Sequence, residues 1–203
     1  MKNANSHSHD KLQRMTGLSI FTAVIVVLTV LCTFVRFGPF SITLALAPIV
    51  IGAALYGPGA GAYLGGVFGL VVLLTGVFGW DGGTVMYLMS LNAVGCILIC
   101  IGKGAAAGWV SGLLYRLIAR KNMHLGVVAA AVLCPVVNTG IFILGMMLFY
   151  MSTLESWAGG QAVIYYVIFG LTGINFLVEL AVNLILSSGI TSIIRYAKGR
   201  KSV

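Results

Sequence analysis

Asn175, Glu179 and Asn183 are polar residues inside an apolar run, and their spacing of four and eight residues puts them on one helix face. A carboxylate at the centre of a membrane span costs about 2.5–3.5 kcal/mol on insertion scales, so it belongs against protein or a wet cavity. Two uses fit such a face: an interhelical hydrogen-bond cluster, or contacts to a polar ligand. Asn138, beside Pro135 on the fifth apolar run, is the natural neighbour, and Pro135 also frees a backbone carbonyl there. Arg36, Trp80, Tyr87 and Asn92 are further candidates on the outer side. Trp and Tyr there also suit an aromatic belt, and Arg36 also suits a helix-end anchor. Asn92 is harder to dismiss, since it interrupts an apolar segment. In the binding reading, Asn138, Asn175 and Glu179 orient polar ligand atoms. Trp80 and Tyr87 cover its apolar part, and the segment 80–92 closes the site from outside. Arg36 and Lys103 are suited to a carboxylate or phosphate.

Signatures of catalysis are absent from the sequence. It has no H-E-x-x-H, no G-x-S-x-G and no histidine pair within an apolar run. Gly102-Lys103-Gly104 only echoes a phosphate loop, so ATP hydrolysis by this chain is not expected. Cys32, Cys96, Cys100 and Cys134 lie in apolar runs without a carboxylate or histidine nearby, and they read as small buried hydrophobes. The expectation is a protein that is not an enzyme and holds no cofactor or metal.

The elements that must position these residues follow from composition. Of 203 residues, 60% are hydrophobic and 8% charged, against about a quarter charged in soluble domains. Mean hydropathy is +1.07, more apolar surface than one globule of this size can bury. These values exclude a soluble enzyme and point to an all-α integral membrane protein. Continuous apolar runs argue against a β-barrel, whose strands alternate. The runs predict spans over 16–35, 41–56, 60–78, 99–118, 125–151 and 162–194. The last is longer than a bilayer needs and should tilt or break near Gly170 and Gly173. The stretch 84–98 is left as a re-entrant or outer segment between the third and fourth spans.

The net charge of +8 is a topology signal rather than a nucleic-acid footprint, because the basic residues sit at the ends of runs. Lys2, Lys11 and Arg14, then Arg116, Arg120 and Lys121, then Arg195, Lys198, Arg200 and Lys201 form three clusters that favour the cytoplasm. An even number of crossings satisfies all three. The reading is six transmembrane helices in the cell membrane with both termini cytoplasmic. Residues 1–15 form a disordered cytoplasmic N-terminus, 16–197 a single transmembrane domain and 198–203 a basic tail.

Glycine is ordered in stripes. Gly61, Gly65 and Gly69 recur every four residues, as do Gly104, Gly108 and Gly112, which predicts close helix packing within the chain. Ser19 and Ala23 form a weaker small-residue pair on the first span.

Three blocks carry a family resemblance. They are Phe40-Ser-Ile-Thr-Leu-Ala-Leu-Ala-Pro-Ile-Val-Ile-Gly-Ala-Ala-Leu-Tyr-Gly-Pro-Gly-Ala-Gly61, Lys103-Gly-Ala-Ala-Ala-Gly-Trp-Val-Ser-Gly-Leu-Leu-Tyr-Arg116 and Cys134-Pro-Val-Val-Asn-Thr-Gly-Ile-Phe142. With the length and layout, they resemble substrate-binding S-components of energy-coupling factor (ECF) vitamin transporters. The resemblance implies capture of a water-soluble vitamin or related micronutrient from outside. It also implies delivery through a membrane scaffold driven by two ATPase subunits, which alone use ATP. It places the vitamin toward the outer half, among the fourth to sixth helices and the loops after the first, third and fifth. Docking to the scaffold would use a small-residue face on the first helix, here Ser19 and Ala23 where relatives carry two alanines. The possibility of a carboxylate ligand leans slightly toward pantothenate. The competing class is a stand-alone secondary transporter of a small organic solute, which would need an inverted repeat or several buried ion-coupling acids.

Overall fold

The computed structural model describes the backbone of residues 2–34, 36–37, 40–41 and 43–199, and side chains over 11–34, 43–194 and 196. The chain is almost entirely helical. It opens with α1 (Lys2–Thr33), followed by a small antiparallel pairing of β1 (Arg36–Phe37) with β2 (Phe40–Ser41). Then come α2 (Leu46–Tyr56), α3 (Pro58–Val77), α4 (Thr84–Leu91), α5 (Ala93–Ile118), α6 (Met123–Phe149) and α7 (Met151–Ala158). The last rod starts as α8 (Val163–Tyr165), passes through a π-helical stretch, Tyr166–Thr172, and continues as α9 (Gly173–Gly199).

Five segments are long and apolar enough to cross a bilayer: Lys11–Thr33, Pro58–Val77, Ala93–Ile118, Met123–Phe149 and Val163–Ile194. The sixth expected span is not among them. At 11 residues α2 reaches only about 16 Å, half of a ~30 Å hydrocarbon core. It lies at the buried centre of the bundle and carries the chain back beside α1: the Arg14 guanidinium donates to the Tyr56 carbonyl at 3.3 Å, so the end of α2 is level with the first turns of Lys11–Thr33. Leu46, Ile49 and Val50 are sealed, and α1, α3, α5, α6 and α9 all pack on it. Gly57, at φ 95°, ends α2 in a backbone shape that side chains rarely adopt, and Pro58 starts α3 at once.

Other differences have local causes. The helix begins at Lys2 rather than at residue 16, with no glycine or proline to interrupt residues 2–16. The stretch 84–98 is not one re-entrant segment. Asp81 accepts from the N–H groups of Gly83 (3.0 Å) and Val85 (2.8 Å) and starts α4. Asn92 accepts from Gly95 N–H at 2.9 Å and starts α5, so residues 93–98 extend the long helix that was expected to begin at 99. The expected outer loop 152–161 contains α7.

The two glycine stripes meet, as their spacing predicts. A Cβ at Gly61 or Gly65 would overlap the carbonyl oxygen of Gly108 or Gly104. The reverse is true of Gly108 and Gly104 against Gly61 and Gly65. Gly69 lies against Cys100 in the same way, and Gly112 against Pro58. Helices α3 and α5 therefore touch backbone to backbone, in an order that shows them antiparallel. Such close approach is the means by which helices associate where lipid provides no hydrophobic drive. The outside of the bundle is apolar, with Ile20, Val27, Leu31, Leu148 and Ile185 among the exposed side chains.

Candidate functional site

Helix α9 turns the whole i, i+4 series inward. Asn175, Glu179 and Asn183 are buried, and so are Ser187 and Thr191, the next two members of the stripe. In the lower part the Asn183 amide donates to the Glu179 backbone carbonyl at 2.9 Å while its side-chain oxygen is left without a partner, and Thr191 donates to the Ser187 carbonyl at 2.9 Å. The upper part faces open space. Between α5, α6 and α9 lies a polar cavity. It is lined by Lys103, Asn138, Phe142, Asn175 and Glu179, with Thr43, Thr139 and Thr172 adding hydroxyls.

The structure thus brings Asn138, Asn175 and Glu179 to one wall and leaves Asn183 below the cavity floor. Asn138 is 4% exposed and its side-chain oxygen has no hydrogen-bond partner. A buried polar atom left unpaired costs about 1–3 kcal/mol, which a donor arriving in the cavity would relieve. Thr43 hydrogen-bonds the Glu179 carboxylate from both its side chain and its backbone.

The π-helical stretch sits at the same wall, contributing Leu171 and Thr172. Thr172 donates to the carbonyl of Val167, five residues back, at 2.8 Å. The wide turn lies at Gly170 and Gly173, where the long run was expected to break. Such π-segments recur at functional sites because the extra residue re-aims the side chains that follow.

The sequence reading underrated Lys103. Its ammonium lies 5.2 Å from the ring centroid of Phe142 and 5.9 Å from that of Phe68. A cation near the middle of a 26-residue apolar helix is itself a functional signal, and that rule would have found it. Lys103 and Phe142 also border a second, apolar cavity, to which α4 contributes Val85 and Leu88 and α6 contributes Met146.

The remaining candidates lie elsewhere. Trp80 is half exposed and stacks on Phe34 with centroids 6.1 Å apart, and Tyr87 is equally exposed, 6.3 Å from Trp157. Neither lines the cavity. Phe142 and Phe176 are the aromatic side chains that line it, and α4 turns Val85 and Leu88 inward and Tyr87 outward. Asn92 is a helix cap whose backbone carbonyl accepts from the Tyr150 hydroxyl. Burial pushes that phenol up to about 12, so it stays a donor at neutral pH. The side chain of Arg36 lies outside the described residues. Ser19 and Ala23 sit on the exposed face of α1, where Ser19 donates to the Met15 carbonyl at 3.0 Å. The four cysteines are buried and free.

The arrangement is a charged, amide-lined cavity inside a bundle of apolar helices. No curated protein matches the chain closely enough to count as a relative. Residues 13–193 match the family described as "ECF transporter, substrate-specific component", nearly the whole chain, and the protein belongs to that family of substrate-binding membrane subunits.

Proposed function

We propose that this chain captures a water-soluble vitamin or related micronutrient, with pantothenate the first candidate, in the cavity between α5, α6 and α9. The observation that carries this reading is the set Lys103, Asn138, Asn175 and Glu179 on one cavity within the bundle. Burying such groups costs several kcal/mol, and a ligand with several hydrogen-bonding positions offsets that cost. In this reading the protein lies in the cell membrane with both termini cytoplasmic. It hands its ligand to a membrane scaffold powered by two ATPase subunits. It needs no cofactor of its own.

The exposed small pair Ser19 and Ala23 supports α1 as the scaffold-docking face. Mass spectrometry of small molecules retained through mild detergent purification tests capture. The expected result is one vitamin at near-stoichiometric amount, and a clean protein that binds none of the water-soluble vitamins on titration would overturn the reading. For docking, Ala23→Trp should abolish uptake in cells while leaving ligand binding to the isolated protein intact. Wild-type uptake by that variant would remove α1 from the docking face. Co-purification with a scaffold and two ATPases separates this function from a stand-alone secondary transporter.

A further inference from the structure

The cavity has two poles. On the α6–α9 side stand acceptors: the Glu179 carboxylate, 5% exposed, and the unpartnered side-chain oxygen of Asn138. On the α5 side stands Lys103, which has donors only. Its ammonium is held near the rings of Phe142 and Phe68, which attract a cation through their faces but offer it no oxygen acceptor. Each pole excludes a class of ligand. An apolar solute would leave both poles desolvated and unmatched. A cation would stack its charge on that of Lys103. A solute bearing only acceptors would face Glu179 and Asn138 with nothing to donate.

We propose that the site selects a small organic acid. Its carboxylate docks at Lys103, and hydroxyl or N–H groups at its other end donate to Asn138 and Glu179. Glu179, whose field also reaches Lys103, has its own donors in Thr43, and a ligand carboxylate would give the lysine a counter-ion in direct contact. A phosphate dianion would add a surplus negative charge beside Glu179 where the dielectric is low. Lys103 borders both the polar and the apolar cavity, so a carboxylate there anchors a chain whose length runs across the polar one. The inference rests on the cavity being the capture site.

The test is titration calorimetry on the purified full chain in mild detergent. The probes are three acids, pantothenate, biotin and folate, and three compounds without a carboxylate, pantothenol, thiamine and riboflavin. Pantothenol is pantothenate with an alcohol in place of the acid, so that pair isolates the charge. Only acids should bind, and replacing the acid by the alcohol should weaken binding about ten- to a hundredfold, the worth of one charge-assisted hydrogen bond. Lys103→Met should erase that advantage and Lys103→Arg should keep most of it. Binding of thiamine or riboflavin, equal binding of pantothenol and pantothenate, or an undiminished acid preference in Lys103→Met would each overturn the inference while leaving capture intact. If wild-type protein binds none of the six and carries no small molecule from the cell, the capture reading falls and this inference falls with it.

Discussion

Lys103 and Gly104 are adjacent in sequence, yet they serve opposite kinds of interface. Gly104 belongs to the seam where α5 meets α3 with no side chain between the backbones. Lys103 belongs to the cavity where α5, α6 and α9 stand apart around empty volume. In the seam, the residue type is dictated by the absence of space, and any added atom collides with backbone, which cannot give way. In the cavity, the residue type is dictated by chemistry, and space is kept open by bulky or kinked elements: Phe142, Phe176 and the π-helical stretch. One helix therefore carries a rigid edge and a functional edge a single residue apart. The rigid edge fixes where the ammonium stands, which is what preorganisation requires.

The largest expected effect lies on the rigid side. Gly65→Leu would force a side chain into the Gly104 carbonyl, and overpacking of this kind costs about 3 kcal/mol or more. Thermal unfolding in detergent should show a large drop, or no monodisperse protein at all. The neighbouring Gly66 faces open space, so Gly66→Ala should be neutral or stabilising by about 0.4–1 kcal/mol. Equal behaviour of the two would break the distinction between seam and surface.

Next comes the functional side. Glu179→Gln keeps shape and removes charge, and should weaken binding of the retained ligand by about 1.5–3 kcal/mol on titration, with little change in unfolding midpoint. Unaltered affinity would reduce Glu179 to a packing residue. Asn138→Ala should cost about 1 kcal/mol of binding, while Asn183→Ala, below the floor, should affect binding not at all. A reversed order for that pair would move the site toward the other end of α9. The smallest effect is expected from Trp80→Ala and Tyr87→Ala. Both residues are half exposed and away from the cavity, so stability and affinity should stay within about 0.5 kcal/mol of wild type. A tenfold loss of affinity in either would show that 80–92 closes over the ligand after all.

How much of this was legible in the sequence depends on how local the signal is. Periodicity is local. The repeats of four in Gly61–Gly65–Gly69 and Gly104–Gly108–Gly112 announced a seam, and the repeat of four in Asn175–Glu179–Asn183 announced a buried polar face. Caps are local as well, yet a side chain that starts a helix, as Asn92 does, shares its sequence signature with a polar residue stranded among apolar ones. Aromatic residues near helix ends gave the weakest guide, since a belt, a lid and a ring stack share one sequence signature.

The sequence by itself determined that the chain is a helical membrane protein. Its apolar runs are too long and too continuous for any other way of satisfying backbone polar groups. It also determined which residues cannot face lipid. Only the tertiary structure decided which of them meet. Lys103, Asn138 and Glu179 come from three separate helices, and no period within one helix specifies its rotation against another. That rotation is set by the glycine seam on one side and by the buried α2 at the centre, whose break at Gly57 and whose short length depend on the partners around it.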